Sequence, residues 1–478
     1  MTRVRQVSEA AVIERVGTAE RPLRVAVIGA GPSAYYAIDR LLRREGLVVE
    51  VDLFERLLTP YGLVRLGVAP DHPSIKSVTA TFDKVAGRPN VRFFGGVEFG
   101  KDVTLADLRA HYHQILYCTG AQTDRRMGIP GEDLEGSYAA TEFVAWYNGH
   151  PDYCDYRFDL SAERVAVVGV GNVAVDVARI LCLSPEEIAK TDIADHALDA
   201  LRQSRIKEVY LLGRRGPAQA AFTSPEIKEL GELANADIAV VPEEVELDPL
   251  SRESLEKSRS RDAPKNVEML QGYARRKPTG KPRRLALRFL VSPVELLADA
   301  RGRVVGIRLV RNELYATAED ALLPRATHRF EELSVGLVFR SVGYRGVPLP
   351  GVPFDDKRSV ILNEKGRVLD PDTRQPLCGQ YTAGWIKRGP SGLIGTNKPD
   401  AAETVGCMMA DLGEGKLLAP AQPGAAAAEA LVRQRCPDFV SYADWLRLNE
   451  LEVARGRAQG RPRSKFTRVE EMLAALGR

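Results

Sequence analysis

The chain has 478 residues, of which 44% are hydrophobic and 27% are charged. This composition is globular, and the length is too great for one ordinary hydrophobic core, so we expect two or three domains. Lys and Arg together number 67 against 64 for Asp and Glu, and the resulting net charge of +3 argues against nucleic acid as a partner.

Six cysteines are scattered along the chain without a C-x-x-C pair, which removes the usual spacings of dithiol redox, zinc and iron–sulfur sites. We therefore expect no bound metal and a reducing, cytoplasmic setting. No apolar run approaches the roughly 20 residues of a membrane span, so we expect no membrane contact. Residues 1–22 lack the apolar stretch of a signal peptide and are interpreted as an N-terminal extension without a predicted role.

The folded part of the chain opens with a strand, a glycine-rich turn and a helix, in the sequence LRVAVIGAGPSAYYAIDRLL (23–42). A second strand, VVEVDLFE (48–55), completes a βαβ unit. In the turn, Gly29 permits the tight bend, Gly31 lets the backbone approach a pyrophosphate, and Ala34 allows close packing of helix on strand. The N-terminus of the helix then faces the phosphates.

Glu55 ends the second strand, 26 residues after Gly29. A carboxylate there can accept hydrogen bonds from both ribose hydroxyls and would repel a 2′-phosphate, so this site suits FAD or NAD. The motif alone is weak, because a glycine-rich turn between packed elements can also carry no ligand. The strand-turn-helix context, the acid and a later apolar strand, QILYCTGA (114–121), together favour a bound nucleotide.

A second unit with the same pattern is found in the sequence RVAVVGVGNVAVDVARIL (164–181). The residues of its turn and helix start are Gly169, Gly171, Asn172, Val173 and Ala174. The two glycines and the alanine take the same roles as in the first turn, and the backbone N–H groups at the helix start point at a phosphate. This pattern predicts a second nucleotide site.

The strand that follows the second turn, EVYLLGRR (208–215), ends in Arg214 and Arg215 instead of an acid. Two guanidiniums at this place fit a ribose 2′-phosphate, so the site should prefer NADP over NAD. The alternative is an exposed loop with surface ion pairs. Arg214 follows Gly171 by 43 residues, so the prediction requires residues 184–206 to be an excursion that leaves the strand order intact. Two sites with different sugar preferences indicate hydride passage from a nicotinamide to a flavin.

Two stretches rich in Pro, Gly and charge, 126–137 and 346–356, bracket the second unit and predict a domain inserted between two parts of another. We expect an α/β fold with two Rossmann-like three-layer nucleotide-binding domains, the NADP domain being inserted into the FAD domain. The predicted parts are 23–125 for the first part of the FAD domain, 126–345 for the NADP domain, and 346–478 for the second part of the FAD domain with a C-terminal helical segment.

Longer segments of the chain resemble one flavoenzyme family. These segments are TPYGLVRLGVAPDHPSIK (59–76), VGVGNVAVDVARIL (168–181), GRRGPAQAAFT (213–223), RSVGYRG (340–346) and GWIKRGPSGLIGTNK (384–398). The chain resembles the adrenodoxin reductase-type ferredoxin–NADP reductases, of the bacterial kind. This resemblance implies a glutathione reductase-like flavoprotein architecture, non-covalent FAD, NADPH as donor, and one-electron delivery to a ferredoxin-like iron–sulfur protein. We also expect a monomer, as is usual for enzymes that dock transient partners.

The resemblance also implies which residues contact each cofactor. The FAD contacts would be Ser33, Glu55, Leu63, Val97, Trp385, Gly392, Leu393 and Ile394. The NADP contacts would be Arg125, Gly171, Asn172, Val173, Ala174, Arg214, Arg215, Glu226 and Gly392. Gly392 has no side chain and would let the nicotinamide approach the flavin. Trp385 either packs at the flavin or belongs to an ordinary aromatic core. Tyr61 and Ser391 stand where relatives often carry Trp and Thr, which should leave the chemistry unchanged.

His72 is the best candidate for a titratable group near the flavin, because an imidazole can exchange a proton near neutral pH. Glu229 or Glu226 would be its partner. An equally good alternative is a hydrogen-bonded structural histidine in a turn bounded by prolines.

Residues 271–284 are predicted to form an exposed basic loop that could steer an acidic ferredoxin to the flavin. Its basic residues are Arg275, Arg276, Lys277, Lys281, Arg283 and Arg284, with Arg202, Arg205 and Lys207 as possible additions. Charge runs are usually solvated faces, so the docking role of this loop stays open.

Two other functions remain as alternatives. The first is another two-nucleotide flavoprotein, such as a disulfide reductase or a glutamate synthase small subunit, and the missing C-x-x-C argues against both. The second is a non-catalytic NADP redox sensor, which would lack a flavin that NADPH reduces.

Overall fold

The computed structural model describes residues 16–258 and 260–478, so most of the predicted extension 1–22 lies outside the described residues. Contacts between residues group the chain into two compact units. Unit 1 consists of the described residues up to Gly62, Thr79–Ala121 and Gly346–Trp445. Unit 2 consists of Leu63–Val78, Gln122–Arg345 and Leu446–Arg478.

The unit boundaries agree only in part with the predicted domain boundaries. The changes of unit after Ala121 and Arg345 lie close to the predicted ones, but Leu63–Val78 and Leu446–Arg478 belong to unit 2 and not with the first nucleotide site. Ion pairs with the rest of unit 2 explain the difference for the first segment, since Lys76 and Asp192 are 2.6 Å apart and Arg179 donates to Asp71 at 2.7 Å. Arg65 and Glu452 join the first segment to the second through a buried ion pair at 2.5 Å. No local sequence pattern predicts such a pair. The naming of the units as FAD and NADP domains remains a prediction.

Unit 1 is built on a mainly parallel sheet. In the part of the chain that the structure describes, seven strands form it in the spatial order Asn363–Glu364, Arg367–Leu369, Pro376–Thr382, Gln114–Tyr117, Leu23–Ile28, Val49–Glu55 and Val91–Gly95. The last five strands are parallel to one another. Arg367–Leu369 is antiparallel to both of its neighbours, Asn363–Glu364 and Pro376–Thr382. All six residues of Leu23–Ile28 are buried, as expected for a central parallel strand covered on both faces.

Helices cover this sheet, and a small hairpin lies beside it. The helices of unit 1 are Pro32–Leu42, Thr79–Ala86, Leu105–His111, Trp385–Arg388, Asn397–Gly413 and Ala425–Arg435, with a 3-10 turn at Ile394–Thr396. The hairpin strands are Phe354–Asp355 and Val360–Ile361. Helix Tyr442–Ala458 begins in unit 1 and ends in unit 2. Pro32 occupies the first turn of its helix, where its missing N–H costs nothing.

Unit 2 is built on a fully parallel sheet. Within the described residues its six strands have the spatial order Ser137–Ala139, Leu337–Arg340, Arg164–Val168, Glu208–Leu212, Arg283–Arg288 and Ala236–Val240. A three-stranded antiparallel meander, defined by Val291–Ala298, Val304–Ala316 and Leu322–Leu333, follows the strand Arg283–Arg288 in the chain. The short strands Thr123–Asp124 and Tyr344–Arg345 pair with each other. The two parallel sheets confirm the predicted class of two Rossmann-like α/β units.

The helices of unit 2 are short apart from two. They are Leu63–Leu66, Pro73–Lys76, Ala140–Tyr147, Asn172–Cys182, Pro185–Ile188, Asp195–Arg202, Ser224–Leu230, Pro242–Val245, Pro249–Lys257, Asp262–Ala274 and Val469–Ala475, with 3-10 turns at Pro151–Tyr153 and Pro217–Gln219. Nine residues of Asn172–Cys182 are buried, because this helix packs into the main core of the unit. The predicted excursion 184–206 contains two of the short helices, and Glu208–Leu212 pairs directly with Arg164–Val168.

Each sheet has a point at which the strand order reverses. In unit 1, Leu23–Ile28 lies between Val49–Glu55 and Gln114–Tyr117. In unit 2, Arg164–Val168 lies between Glu208–Leu212 and Leu337–Arg340. Ligands of open parallel sheets bind at the carboxyl ends of the strands beside such a point. Both glycine-rich turns begin at these positions.

Candidate functional site

The first glycine-rich turn bends sharply and then opens to solvent. Gly29 has a φ of +95°, and a Cβ added to it would lie 2.7 Å from the carbonyl oxygen of Cys118 on the neighbouring strand. A Cβ on Gly31 would meet no atom within 4 Å. The helix behind the turn has no side-chain cap at Gly31, and Ala34 is fully buried against the sheet. This geometry leaves backbone N–H groups and open space for a pyrophosphate.

Glu55 is fixed at the end of the second strand by backbone donors. The N–H of Ala30 donates to Oε2 at 2.8 Å, and that of Leu57 donates to Oε1 at 3.1 Å. Burial raises the pKa of Glu55, and these backbone hydrogen bonds oppose the rise. Each carboxylate oxygen keeps a second lone pair for a ribose hydroxyl. The N–H of Val97, a predicted FAD contact, donates to the backbone oxygen of Glu55 at 2.9 Å.

Segments far apart in the sequence meet near this turn. Gly384 has a φ of +82°, and a Cβ there would lie 2.6 Å from Oγ of the buried Ser33. The indole N–H of Trp385 donates to the carbonyl of Ser391 at 3.2 Å, which ties it to the segment Gly392–Ile394. In that segment Leu393 is 54% exposed, so its side chain is available to contact a ligand. Leu63, the remaining predicted FAD contact, belongs to unit 2.

The second glycine-rich turn has the same geometry as the first. Gly169 has a φ of +133°, and a Cβ there would lie only 2.2 Å from the carbonyl oxygen of Ser341. A Cβ on Gly171 would meet no atom within 4 Å, and the following helix has no side-chain cap. Asn172 Oδ1 accepts a hydrogen bond from the backbone of Thr223 at 2.9 Å. The turn is therefore open at the same position, and its helix is fixed to the loop before Ser224–Leu230.

Two arginines, Arg214 and Arg215, stand beside this second turn. The N–H of Gly169 donates to the carbonyl of Leu212 at 2.9 Å, which places Arg214 and Arg215 next to the turn. Neither guanidinium has a hydrogen-bond or ion-pair partner among residues 16–258 and 260–478. Burial, and then the charge of Arg214, lower the pKa of Arg215. Two like charges beside an open turn have the chemistry to bind an anion. Arg125 is exposed, and its backbone N–H donates to the carbonyl of Gly343.

His72 and Glu229, the two predicted catalytic residues, lie within hydrogen-bond distance. His72 Nε2 and Glu229 Oε2 are 2.8 Å apart. His72 is 7% exposed, whereas the Glu229 side chain is 44% exposed and can exchange protons with solvent. Glu226 instead accepts a hydrogen bond from Arg179 at 3.0 Å, and its carboxylate is 4.0 Å from His72 Nδ1. The structure thus places His72 within hydrogen-bond distance of Glu229, one of its two predicted partners.

Arg179, Asp71 and Asp176 were not predicted as site residues, although they surround His72. Burial would raise the pKa of Asp71, but hydrogen bonds from Arg179 at 2.7 and 3.1 Å lower it below its usual range. Burial raises the pKa of Asp176 to about 7 against the opposing charge of Arg179. A charged pair three residues apart on an otherwise apolar helix was the signal in the sequence that could have identified Arg179 and Asp176.

This cluster does not fit a metal ion. Ligand atoms of His72, Asp176 and Glu226 lie within 4.8 Å of one another. The Arg179 guanidinium already donates to Asp176 at 2.7 Å and to Glu226 at 3.0 Å, so it supplies the positive charge that the two carboxylates need. The group is better described as an arginine-centred ion cluster.

The predicted basic loop is shorter than expected. The first four residues of 271–284 belong to helix Asp262–Ala274, and the last two belong to strand Arg283–Arg288. That strand is fixed by pairing with two neighbours in the sheet. Arg283 donates to two main-chain carbonyls and Arg284 pairs with Glu208, so neither is free to dock a partner. The other contacts of the predicted basic residues are Arg276 to Gly231, Lys281 to Leu233, Arg202 to Asp199 and Lys207 to Glu163.

Comparisons with known proteins agree with this geometry. Residues 23–230 match the family described as pyridine nucleotide-disulphide oxidoreductase. The chain is 45% identical over 462 residues to NADPH-ferredoxin reductase FprA of Mycobacterium tuberculosis, which covers 95% of this chain and 99% of the relative. It is 40% identical over 466 residues to the mitochondrial NADPH:adrenodoxin oxidoreductase of Arabidopsis thaliana, with 95% of each chain covered.

A solved structure extends the likeness to three dimensions. The structure of M. tuberculosis FprA in complex with NADPH matches with a TM-score of 0.90 and 44% identity, and the match covers 96% of this chain and all of that one. Among the described residues, no helix is both long and apolar enough to cross a membrane.

Proposed function

Because this chain belongs to the family of adrenodoxin reductase-type ferredoxin–NADP reductases, we propose that its two glycine-rich turns hold FAD in unit 1 and NADP(H) in unit 2. The protein is an FAD-dependent oxidoreductase that transfers electrons between NADPH and a ferredoxin-type protein. A flavin held by the first turn and Glu55 would supply the exchange between two-electron hydride chemistry and one-electron transfer. The protein residues bind and orient the two cofactors.

The unpartnered pair Arg214 and Arg215 carries the assignment of NADP to unit 2. Two guanidiniums without internal acceptors can bind a 2′-phosphate dianion through charge-assisted hydrogen bonds, which NAD cannot offer. In unit 1 a carboxylate, Glu55, stands at the corresponding strand end and would repel that phosphate. The two turns therefore discriminate between the two nucleotides by charge.

The test is anaerobic reduction of the flavin by NADPH and by NADH, followed by electron transfer to a ferredoxin. We expect Arg214→Ala and Arg215→Ala to lower kcat/KM for NADPH by about 10- to 100-fold each, because each removes a charged hydrogen bond. Use of NADH should not change. Arg252→Ala, which removes an exposed charge elsewhere in unit 2, is the matched control. Equal use of both nucleotides by the unsubstituted protein would refute the phosphate clamp.

We also propose the remaining cofactor contacts. For FAD they are Gly29, Gly31, Ser33, Glu55, Leu63, Val97, Trp385, Gly392, Leu393 and Ile394. For NADP they are Arg125, Gly171, Asn172, Val173, Ala174, Arg214, Arg215, Glu226 and Gly392. The open space at the second glycine of each turn, the fixed carboxylate of Glu55 and the exposed Leu393 support these sets.

We further propose that His72 and Glu229 carry a proton when the flavin is reduced. Their distance of 2.8 Å allows direct transfer, and the half-exposed Glu229 connects the buried imidazole to solvent. His72→Ala and Glu229→Gln should each change the pH dependence of flavin reduction. His328→Ala, an exposed histidine of the meander, should not. Unchanged pH profiles in both site variants would leave His72 with a structural role only.

The partner contact is proposed to be transient and electrostatic, with the enzyme acting as a monomer in the cytoplasm. All six cysteines are free, which suits a reducing compartment. Reduction of an acidic ferredoxin should slow as ionic strength rises, while flavin reduction by NADH should change little. Arg275→Ala with Lys277→Ala tests the basic loop, whose other arginines and lysines make internal contacts. A salt-independent rate would contradict electrostatic docking.

A further inference from the structure

The backbone that carries Arg214 and Arg215 is tied at three consecutive carbonyls. Val291 N–H donates to the carbonyl of Gly213 at 3.0 Å, and Leu290 N–H donates to that of Arg215 at 3.1 Å. Between them, Nδ2 of Asn312 donates to the carbonyl of Arg214 at 2.8 Å. Two of these bonds come from main-chain N–H groups at the start of the meander and just before it, and only the middle one depends on a side chain.

Asn312 is held so that its amide nitrogen faces Arg214. The residue is 4% exposed, and the second amide hydrogen is donated to Oγ of Ser292 at 2.7 Å. A carbonyl oxygen can only accept, so the contact with Arg214 sets the orientation of the amide. The backbone N–H of Asn312 also donates to the carbonyl of Leu290 at 2.7 Å. Asn312 therefore connects the meander to the arginine pair by both its main chain and its side chain.

An irregularity of the meander accompanies this arrangement. Strand pairing passes from Val310 opposite Phe330 to Asn312 opposite Ala326, so the partner strand bulges at this point. Bulges re-aim side chains and are common beside active sites. Leu290, which lies between the sheet and the meander, has a φ of +57°, a conformation that few residues with a side chain adopt. The meander is shaped locally to reach the arginine backbone.

We propose that Asn312 is a positioning residue for recognition of the 2′-phosphate, an inference that rests on the proposed role of Arg214 and Arg215. Carbonyl oxygens repel a phosphate, and Asn312 holds the carbonyl of Arg214 in a hydrogen bond within the protein. The two guanidiniums carry like charges and repel each other, and burial, followed by the charge of Arg214, lowers the pKa of Arg215. A fixed backbone keeps both charges at one place. Asn312 acts on the preference for NADPH without touching the nucleotide.

The test uses the FAD-loaded enzyme and two probes, 2′-AMP and 5′-AMP, whose affinities are measured by calorimetry. Asn312→Ala should lower the affinity for 2′-AMP by between about threefold and tenfold, which corresponds to one net hydrogen bond. The affinity for 5′-AMP should not change. The kcat/KM for NADPH should fall by the same factor, while that for NADH should stay constant. Thr327→Val is the matched control, because the Thr327 hydroxyl donates to the carbonyl of Arg311 at 2.8 Å in the same meander.

The outcomes separate this inference from the proposed function. If Arg214→Ala and Arg215→Ala leave 2′-AMP affinity unchanged, the phosphate clamp itself is wrong. If they weaken it but Asn312→Ala acts equally on NADPH and NADH, or on neither, the positioning role of Asn312 is overturned. Should Asn312→Ala fail to fold, Ser292→Ala removes only the second amide contact and should cause a smaller loss confined to 2′-AMP. Unchanged affinity in that variant would also overturn the role.

Discussion

The two glycines of the second turn should respond in opposite ways to the same substitution. Gly169→Ala places a methyl group 2.2 Å from the carbonyl oxygen of Ser341, at a φ of +133°. Gly171→Ala places it in open space, at an extended φ of −104° and ψ of 174° that any residue adopts. The first change should therefore damage the fold, and the second should damage only nucleotide binding.

The structure sets the size of both effects. Strain at φ +133° costs about 1–3 kcal/mol. The clash also threatens two strand-end hydrogen bonds, from Ser341 N–H to Val168 at 2.8 Å and from Gly169 N–H to Leu212 at 2.9 Å, worth about 1 kcal/mol each. Gly169→Ala should therefore destabilise the protein by about 3–5 kcal/mol, which is their sum. Gly171→Ala should change stability by less than about 1 kcal/mol, with a small gain from the stiffer unfolded chain.

Thermal unfolding followed by circular dichroism measures the first effect, and calorimetric titration with NADP measures the second. Gly171→Ala should keep the Tm of the unsubstituted protein and bind NADP at least about tenfold more weakly, because the methyl group blocks the approach of the pyrophosphate. Its affinity for 2′-AMP, which lacks the pyrophosphate, should not change. If Gly171→Ala bound NADP normally, the pyrophosphate would not pass this turn and the assignment of the site would be wrong.

Three further results are expected from buried groups. Burial, followed by the charges of two nearby guanidiniums, lowers the pKa of His113 to about 4, so the stability that its neutral form contributes should be complete above about pH 6.5 and be lost as the pH falls from there to about 4. His113→Gln should remove this fall in pH-dependent melting, and parallel curves would contradict it. Glu452→Gln removes the negative charge opposite the buried Arg65 and should lower the free energy of unfolding by about 3–5 kcal/mol, seen as a lower Tm. Glu55→Gln turns an amide toward a backbone N–H, so FAD should dissociate about tenfold more readily in flavin-release assays, whereas Glu50→Gln should not.

Much of the fold could be predicted because its signals are local. A strand that ends at Gly29 or Gly169 and a helix that starts two residues later form a compact motif, and each glycine is required by its own φ and its nearest neighbour. The acid at Glu55 and the arginines at 214 and 215 follow strand ends and could be identified for the same reason. The separation of 43 positions between Gly171 and Arg214 is longer than usual for this motif, and the direct pairing of Glu208–Leu212 with Arg164–Val168 accounts for it.

Long-range contacts could not be predicted from the sequence. Leu63–Val78 is joined to unit 2 by pairs of residues that are far apart in the chain, such as Lys76 and Asp192, 116 residues apart, and Arg65 and Glu452, 387 residues apart. Similarly, Arg283 and Arg284 of the predicted basic loop lie in a strand, and the strands that pair with it come from other parts of the chain. Periodicity and motif spacing describe neighbours along the chain, and such pairs leave no mark in either.

The sequence by itself determined the two glycine-rich turns, the acid and the two arginines that follow the next strands, and the family of the enzyme. Only the tertiary structure decided which side chains surround those turns. Arg179 joins His72 across 107 residues, and Asn312 reaches the carbonyl of Arg214 across 98. The physical reason is that turn geometry depends on a few consecutive φ and ψ angles, whereas the hydrogen bonds and ion pairs of buried polar groups form only when distant segments pack together.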